Sequence, residues 1–377
     1  MTTPTLTPLY LDHASTSFPK SGAVVAAVRR WYEELGVSAD RGVSAAHDQV
    51  RAEVDDTRRR LAALAKLPGE RCAFTSGATE SLHLLFLALL RPRDRVVTTA
   101  IEHAAVARPL LSLRDRLQLD LEVVPCDANG CVEPAAVAAA LECGATRLCV
   151  LNHASNVTGA VLDVDACLTA ARELGTLSIV DVCQSIGHLA LPQRADFLVG
   201  SAHKALWGPP GLGFVLARSD TALVPPKPGG SGSTSDLAKH PAEWPTVLEA
   251  GTPNTPAILG LRAALIERDA VPRRTFESAL IALDHFADRL QRDLGARSHS
   301  PRTTPRLPIL SFELDGFDPQ EVAILAAGHG ITLRSGFHCA PWIHAHLGSQ
   351  ARGTVRVSPG PEITAGDLDR LVDLLCP

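Results

Sequence analysis

The sequence predicts an α/β chain, with a mostly parallel sheet in a large domain and a smaller α+β domain at its C-terminal end. Three observations carry that expectation. From about residue 70 to 217, short apolar runs alternate with helical stretches. The runs are apolar enough to be buried on both faces, as strands of a parallel sheet covered by helices must be. Beyond residue 256 the strands and helices follow one another in a mixed order that suggests a separate α+β unit.

Taken in order, two helices are expected first, at 21–35 and 45–67. Seven strands follow, at 72–75, 95–98, 121–124, 148–151, 178–181, 195–199 and 213–216, with helices at 78–90, 104–117, 134–141 and 164–174 among them. The stretch 225–256 is rich in Gly, Pro, Ser and Thr and reads as a long loop, a length usually reserved for function or mobility. Helices at 257–269 and 274–294 come next. They are followed by a strand at 307–313, a helix at 319–327, strands at 331–334 and 354–358, and a last helix at 365–375. No internal repeat or low-complexity segment is present.

The 377 residues suffice for one large domain and a smaller one. The chain is 46% apolar and only 4% aromatic, so its core is built mainly from Ala, Leu and Val. Net charge is -5, and no basic run or basic-aromatic stripe stands out, which argues against nucleic acid as a partner. No apolar run has transmembrane length, and MTTPTLTPLYLD lacks a basic segment followed by an apolar one; no membrane association and a cytoplasmic location are expected. The nine cysteines include no C-x-x-C pair, and an odd count argues against a disulfide framework. Most sit among Val, Leu and Ala as small buried residues, whereas Cys339 lies in a Gly/His/Pro-rich loop.

The peptide SAHKALWGPPGLGF, 201–214, sets Lys204 beside Ser201 and His203 at the end of a buried run. A lysine desolvated there can lose its proton and form a Schiff base with an aldehyde cofactor; a surface lysine beside a turn is the simpler alternative. Asp181 ends the run LSIVD, where α/β sheets place their ligands, with Gln184 three residues on. Facing a pyridine nitrogen, its carboxylate would keep the ring protonated as an electron sink, although a helix N-cap needs the same residue. In TSGATES, 75–81, Gly77, Ala78 and Thr79 offer N–H groups and a hydroxyl at a helix start, suited equally to phosphate or to capping. His103 follows a strand, where it could stack on a flat ring or simply cap a helix, and Asn156 lies in a strand-end loop. Cys339, beside His338, is a candidate thiolate nucleophile. Arg356 sits mid-strand among apolar residues and needs an anion, either a substrate carboxylate or a structural ion-pair partner.

Together these motifs resemble the class V aminotransferase family, which has the fold-type I architecture of enzymes dependent on pyridoxal 5'-phosphate (PLP). Within it the chain is most similar to the cysteine desulfurases and selenocysteine lyases of the SUF-type group. The likeness runs in family order through LDHASTSFPK (11–20), DRGVSAAHDQVR (40–51), FTSGATES (74–81), IEHAAV (101–106), LNHASNVTGAV (151–161), IVDVCQSIGH (179–188), SAHKALWGPPGLG (201–213), EAGTPNTPAILGL (249–261), RSGFHCAP (334–341) and GTVRVSPG (353–360).

The resemblance implies a large PLP-binding domain over 15–255 and a small domain formed by 1–14 with 256–377. It implies that Lys204 carries the cofactor and moves protons, that Asp181 pairs with the pyridinium nitrogen, and that Gln184 bonds the ring hydroxyl. His103 would stack on the ring. Thr79, with Gly77 and Ala78, and Ser201 and His203 would hold the phosphate. Thr252 would reach the phosphate of a neighbouring subunit, making a homodimer with shared active sites. Asn156 and Arg356 would hold the substrate amino acid. Cys339 would take sulfur from L-cysteine as a persulfide, leaving L-alanine, and pass it to a thiol or an acceptor protein. The alternatives within the resemblance are a selenocysteine lyase, or a C–S lyase or aminotransferase-like enzyme acting on a modified amino acid. No metal site is suggested. Departures fall at expected substrate or dimer surfaces: His13 and Ser15 stand where the family commonly has Asn and Ala, and PEIT follows Ser358-Pro359-Gly360 where relatives often carry an aromatic-Asn-Thr sequence.

Overall fold

A computed structural model describes residues 8–39, 42–232, 236–270, 277–303 and 305–376. Several sequence expectations lie outside the described residues: positions 1–7 of the small domain, Asp40 and Arg41 of one motif, 233–235 of the long loop, and 274–276 of one helix.

The chain begins with β1 (Leu9–Tyr10), α1 (Gly22–Arg30) and α2 (Ala45–Leu64). It continues through β2 (Cys72–Thr75), α3 (Ala78–Leu89), β3 (Arg95–Thr99), α4 (Ala104–Leu117), β4 (Asp120–Val124), α5 (Pro134–Glu142), β5 (Thr146–Asn152), α6 (Val164–Glu173), β6 (Leu177–Asp181), β7 (Phe197–Ser201) and β8 (Gly213–Ala217). The C-terminal part holds α7 (Thr255–Ala270), α8 (Glu277–Leu294), β9 (Arg297–Ser298), β10 (Leu310–Glu313), α9 (Pro319–Gly328), β11 (Ile331–Thr332), β12 (Arg334–Gly336), α10 (Ile343–Leu347), β13 (Thr354–Val357) and α11 (Ala365–Leu375).

The seven expected strands form one sheet in the order β2-β8-β7-β6-β5-β3-β4. It is parallel except for β8, which runs antiparallel to both β7 and β2. Alternation along β5 fixes two cores. Cys149 and Leu151 face one side with Leu61 of α2, Leu141 of α5 and Leu168 of α6. Leu148 and Val150 face the other with Leu85 and Phe86 of α3 and Leu110 of α4. Burial on both faces explains why these strands read as unbroken apolar runs. A second sheet, β12-β13-β10-β9, is antiparallel and packs with α8, α9 and α11 around Phe286, Phe312 and Leu371. Helices α9 and α11 both start in capping boxes, Asp318 with Glu321 and Thr364 with Asp367.

Three differences from expectation have physical causes. Helix α7, placed in the smaller domain by its position after the loop, buries Ala257, Ile258, Leu261 and Leu265 in the large core. The helix expected over 21–35 is α-helical only to Arg30, and Trp31–Leu35 is a wider π turn ending at Gly36. The strand expected at 331–334 is two short strands, because β11 pairs with β1 and β12 with β13.

The antiparallel step at β8 matters for the site. No crossover helix is needed between β7 and β8, so the connection 202–212 stays at the C-terminal edge of β7. That is the same edge at which β6 ends in Asp181 and β5 and β3 lead into 153–156 and 100–103.

Candidate active site

Lys204 is half-buried in the turn after β7, and its carbonyl accepts from Trp207 N at 3.0 Å. The preceding carbonyl, His203 O, is held by the N-terminal segment. Ser17 N donates at 2.9 Å, Lys20 Nζ at 3.0 Å, and Thr16 Oγ1 and Ser17 Oγ each at 3.1 Å. Four donors on one oxygen leave the lysine turn little freedom. Burial lowers Lys20 to about 8.

Asp181 ends β6, is 5% exposed, and accepts from Cys183 N at 2.8 Å through Oδ1. Gln184 is buried and donates from Nε2 to Ala14 O at 2.8 Å. His103 is the N-cap of α4, with Nδ1 accepting from Ala105 N at 3.0 Å. The capping alternative therefore holds, and it also fixes the tautomer by making Nδ1 the acceptor. Burial first, then the charge of Lys204, lower His103 to about 4, while Asp181 acts in the opposite sense. Lys204 and Asp181 thus both act on this imidazole, which is neutral at pH 7.

Beneath them, Ala78 N at the start of α3 donates to Ser201 Oγ at 2.9 Å. A Cβ added at Gly77 would meet only that hydroxyl, at 3.9 Å, so the turn is open on this side. Thr79 is exposed on the first turn of α3. Thr252 is exposed too, and with Ser76, Gly211 and Lys227 lines a cleft of about 730 Å³. A separate small cavity of about 40 Å³ reaches Lys204, between His13, Gln184, Trp207 and Ser358. His13 packs on Trp207 with ring centroids 5.2 Å apart, and burial lowers it to about 4.

Arg356 is 1% exposed on β13. Nη2 donates to Asp12 Oδ1 at 2.6 Å and Ser15 Oγ at 2.8 Å, and Nη1 donates to Asn156 O at 2.8 Å. The structural ion pair that the sequence left open is therefore present. Asn156 donates from Nδ2 to His338 O at 2.7 Å, while its Oδ1 is buried without a hydrogen-bond partner.

Cys339 is exposed on the loop after β12, and both it and His338 adopt left-handed backbone, with φ of 56° and 47°. Two adjacent residues of this kind cost about 1–3 kcal/mol each and tend to mark functional sites. The loop is tied to the helix bearing His103, because Ala104 N donates to Cys339 O at 2.6 Å. Its sulfur accepts from Arg334 Nη2 at 3.0 Å.

Arg334, Asp12, Lys20 and Glu102 were not singled out from sequence. Arg334 lay inside a recognised motif, five residues before Cys339, and that spacing was the only available signal. Glu102 is fully buried beside His103, accepts from Thr99 Oγ1 at 2.7 Å and Asn152 N at 2.8 Å, and is raised by burial to about 8.

The residues present fit PLP. An open helix start with a hydroxyl, a buried carboxylate at a strand end, a cap imidazole and a lysine turn meet at one sheet edge, and the buried Asn156 Oδ1 still lacks a donor. No group of three or more His, Cys, Asp or Glu among the described residues could hold a metal ion.

Residues 9–371 match the family described as Aminotransferase class-V. A protein of Methanothermobacter thermautotrophicus described as a probable cysteine desulfurase is 31% identical over 360 residues, spanning 93% of this chain and 89% of the relative. The cysteine desulfurase CsdA of Escherichia coli is 30% identical over 382 residues, spanning 97% of this chain and 92% of its own. The apo structure of a cysteine desulfurase from Thermococcus onnurineus superposes with a TM-score of 0.90 at 27% identity, covering 98% of this chain and 94% of that one.

Proposed function

The chain belongs to the aminotransferase class-V family, and from that premise we propose that it is a PLP-dependent cysteine desulfurase acting on L-cysteine. The observation that carries this reading is the meeting of Lys204, Asp181 and His103 with the strained, exposed Cys339, whose backbone is bonded to the helix capped by His103.

Lys204 holds the cofactor and moves the proton at the substrate Cα. Asp181 would pair with the ring nitrogen, and Gln184 and His103 would bound the ring. Gly77, Ala78, Thr79, Ser201 and His203 hold the phosphate. When bound, PLP supplies an electron sink for charge developing at Cα. Asn156 and Arg356 orient the amino acid, with His13 close by, lining the small cavity that reaches Lys204. Cys339 Sγ attacks the substrate sulfur: a sulfur–sulfur bond forms, the carbon–sulfur bond breaks, and its electron pair stays on the carbon, which is protonated to give L-alanine. The persulfide left on Cys339 is then cleared by a thiol or an acceptor protein, for which the exposure of Cys339 is the support.

A homodimer with shared sites is part of the proposal. The exposed apolar side chains of Phe18, Val25, Tyr32 and Val43 support a covering partner, and the exposed Thr252 supports its reach into that partner's phosphate site. No helix among the described residues is long and apolar enough to cross a membrane. The nine free cysteines support the cytoplasm as the location.

The test is product analysis with L-cysteine and a reductant, and with L-selenocysteine alongside. Wild type is expected to yield equal alanine and sulfide, and Cys339→Ala to lose on the order of 100-fold in rate. Full sulfide release by Cys339→Ala would remove the persulfide step. Pyruvate and ammonia in place of alanine would make the protein a C–S lyase.

A further inference from the structure

We propose that Ser15 is a positioning residue that joins the two active-site arginines and, through Arg334, orients Cys339. This rests on the reading of Cys339 and Arg356 given above. Ser15 stands where the resembled family commonly carries alanine, so the device belongs to this chain's own sequence.

The geometry is saturated. Ser15 Oγ donates to Asp12 Oδ1 at 2.9 Å, accepts from Arg356 Nη2 at 2.8 Å and accepts from Arg334 Nη1 at 2.9 Å. A hydroxyl has one donor and two acceptor sites, and all three are used. The two guanidinium groups would otherwise repel. Here the Ser15 oxygen bridges them, the Asp12 carboxylate bonds Arg356 and Ser15, and the other arm of Arg334, Nη2, rests on Cys339 Sγ at 3.0 Å. The chain of contacts therefore runs from Arg356 through Ser15 and Arg334 to the sulfur. The Arg334 N–H on the sulfur fixes the direction in which the Cys339 side chain points. Alanine at 15 would leave Arg334 Nη1 without this partner and Arg356 with one contact fewer, so both the carboxylate site and the sulfur would lose definition.

The test uses the holoenzyme as wild type, Ser15→Ala, Arg334→Gln and the double variant, each checked for folding by thermal unfolding. The first readout is the rate at which iodoacetamide alkylates Cys339 at pH 7 in the resting protein, followed by peptide mass spectrometry. Ser15→Ala and Arg334→Gln are each expected to slow alkylation roughly threefold, and the double variant to be no slower than Arg334→Gln alone, since contacts in one chain do not add. The second readout is KM for L-cysteine, expected to rise about fivefold in Ser15→Ala through the weakened hold on Arg356. Wild-type alkylation in Ser15→Ala, or single effects that multiply in the double variant, overturns the proposal; so does an unchanged KM. Failure of the desulfurase reading shows separately, as wild type that makes no alanine. The alkylation readout does not depend on turnover.

Discussion

Around Lys204, His13, His103 and His203 are each held at about 4, by burial first; the charge of Lys204 follows for His103 and His203, whereas Asp12 opposes the shift at His13. His153, buried against Ser185 Oγ at 2.7 Å, is also at about 4, and His188 is at about 3. In the unfolded chain these imidazoles protonate near 6.5, so between pH 6.5 and about 4 the unfolded state binds more protons. Their stabilising contribution is complete above 6.5 and is lost as pH falls through that window. Glu102 works the other way. Raised to about 8, it binds its proton in the folded state over a range where the unfolded chain has released it, and its contribution fades as pH rises from 4.5 to 8. Five histidines outweigh one glutamate, so Tm should peak near pH 6.5, drop steeply toward pH 4 and decline gently toward pH 8. Thermal scans across pH 4–9 check this, and a flat Tm between 6.5 and 4 would show that these imidazoles are not buried neutral. Sequence alone revealed where His103 and His203 sit in their motifs but nothing of their protonation, which depends on what covers them.

At the level of elements, the site depends on how closely β8 approaches the turn that opens α3. A Cβ at Gly213 would overlap the Cα and carbonyl carbon of Gly77 and stand 2.7 Å from Thr75 Oγ1. The obstacle is backbone, which cannot swing aside. Gly213→Ala should therefore lower stability by about 1–3 kcal/mol and push the Ala78–Ser201 contact apart, weakening PLP retention. Gly328→Ala is the control: it ends α9, meets nothing within 4 Å and should be neutral or slightly stabilising. Denaturant midpoints and the visible absorbance of bound cofactor measure both, and identical behaviour of the two variants would refute the close-approach argument. The strands and helices that make this edge were legible because each buries a continuous or periodic apolar pattern of its own. The assignment of α7 was not, since a helix says that it has an apolar face but not which core receives it. Nor was the split of β11 from β12, because the two-residue β11 is defined by a partner, β1, more than three hundred residues away, while β12 pairs with the nearby β13.

On the scale of the whole molecule, residues 8–20 act as a brace. β1 extends the chain beside β11, His13 N and Ala14 N bond to Ser358 O and Oγ at 3.0 Å each, Ala14 O holds Gln184, and Lys20 with Ser17 holds His203 O. The N-terminal segment thereby meets β13, the strand end of β6 and the lysine turn at once. Its strongest tie is Asp12 to Arg356, 344 positions apart in sequence. No local pattern could announce that pair: the sequence shows an arginine needing an anion, and only folding shows that Asp12 is available. Because Arg356 is 1% exposed and burial alone would lower its pKa, removing Asp12 leaves a charge with little water to compensate it. Breaking such a pair costs about 3–5 kcal/mol, whereas an exposed pair of the same types contributes about 0–1 kcal/mol. Asp12→Ala should accordingly destabilise the protein by about 3 kcal/mol, toward the lower end because Ser15 Oγ and Asn156 O remain on the guanidinium. Glu33→Ala, which removes the exposed partner of Arg29 on the N-terminal helical stretch, should change stability by less than about 1 kcal/mol. If Arg356 orients the substrate as proposed, Asp12→Ala should also raise KM for L-cysteine, while Glu33→Ala should leave it unchanged. Chemical denaturation and steady-state kinetics on the two variants decide the matter. Equal stability losses would mean that the Asp12–Arg356 pair is solvated in solution, and that the brace rests on its backbone contacts alone.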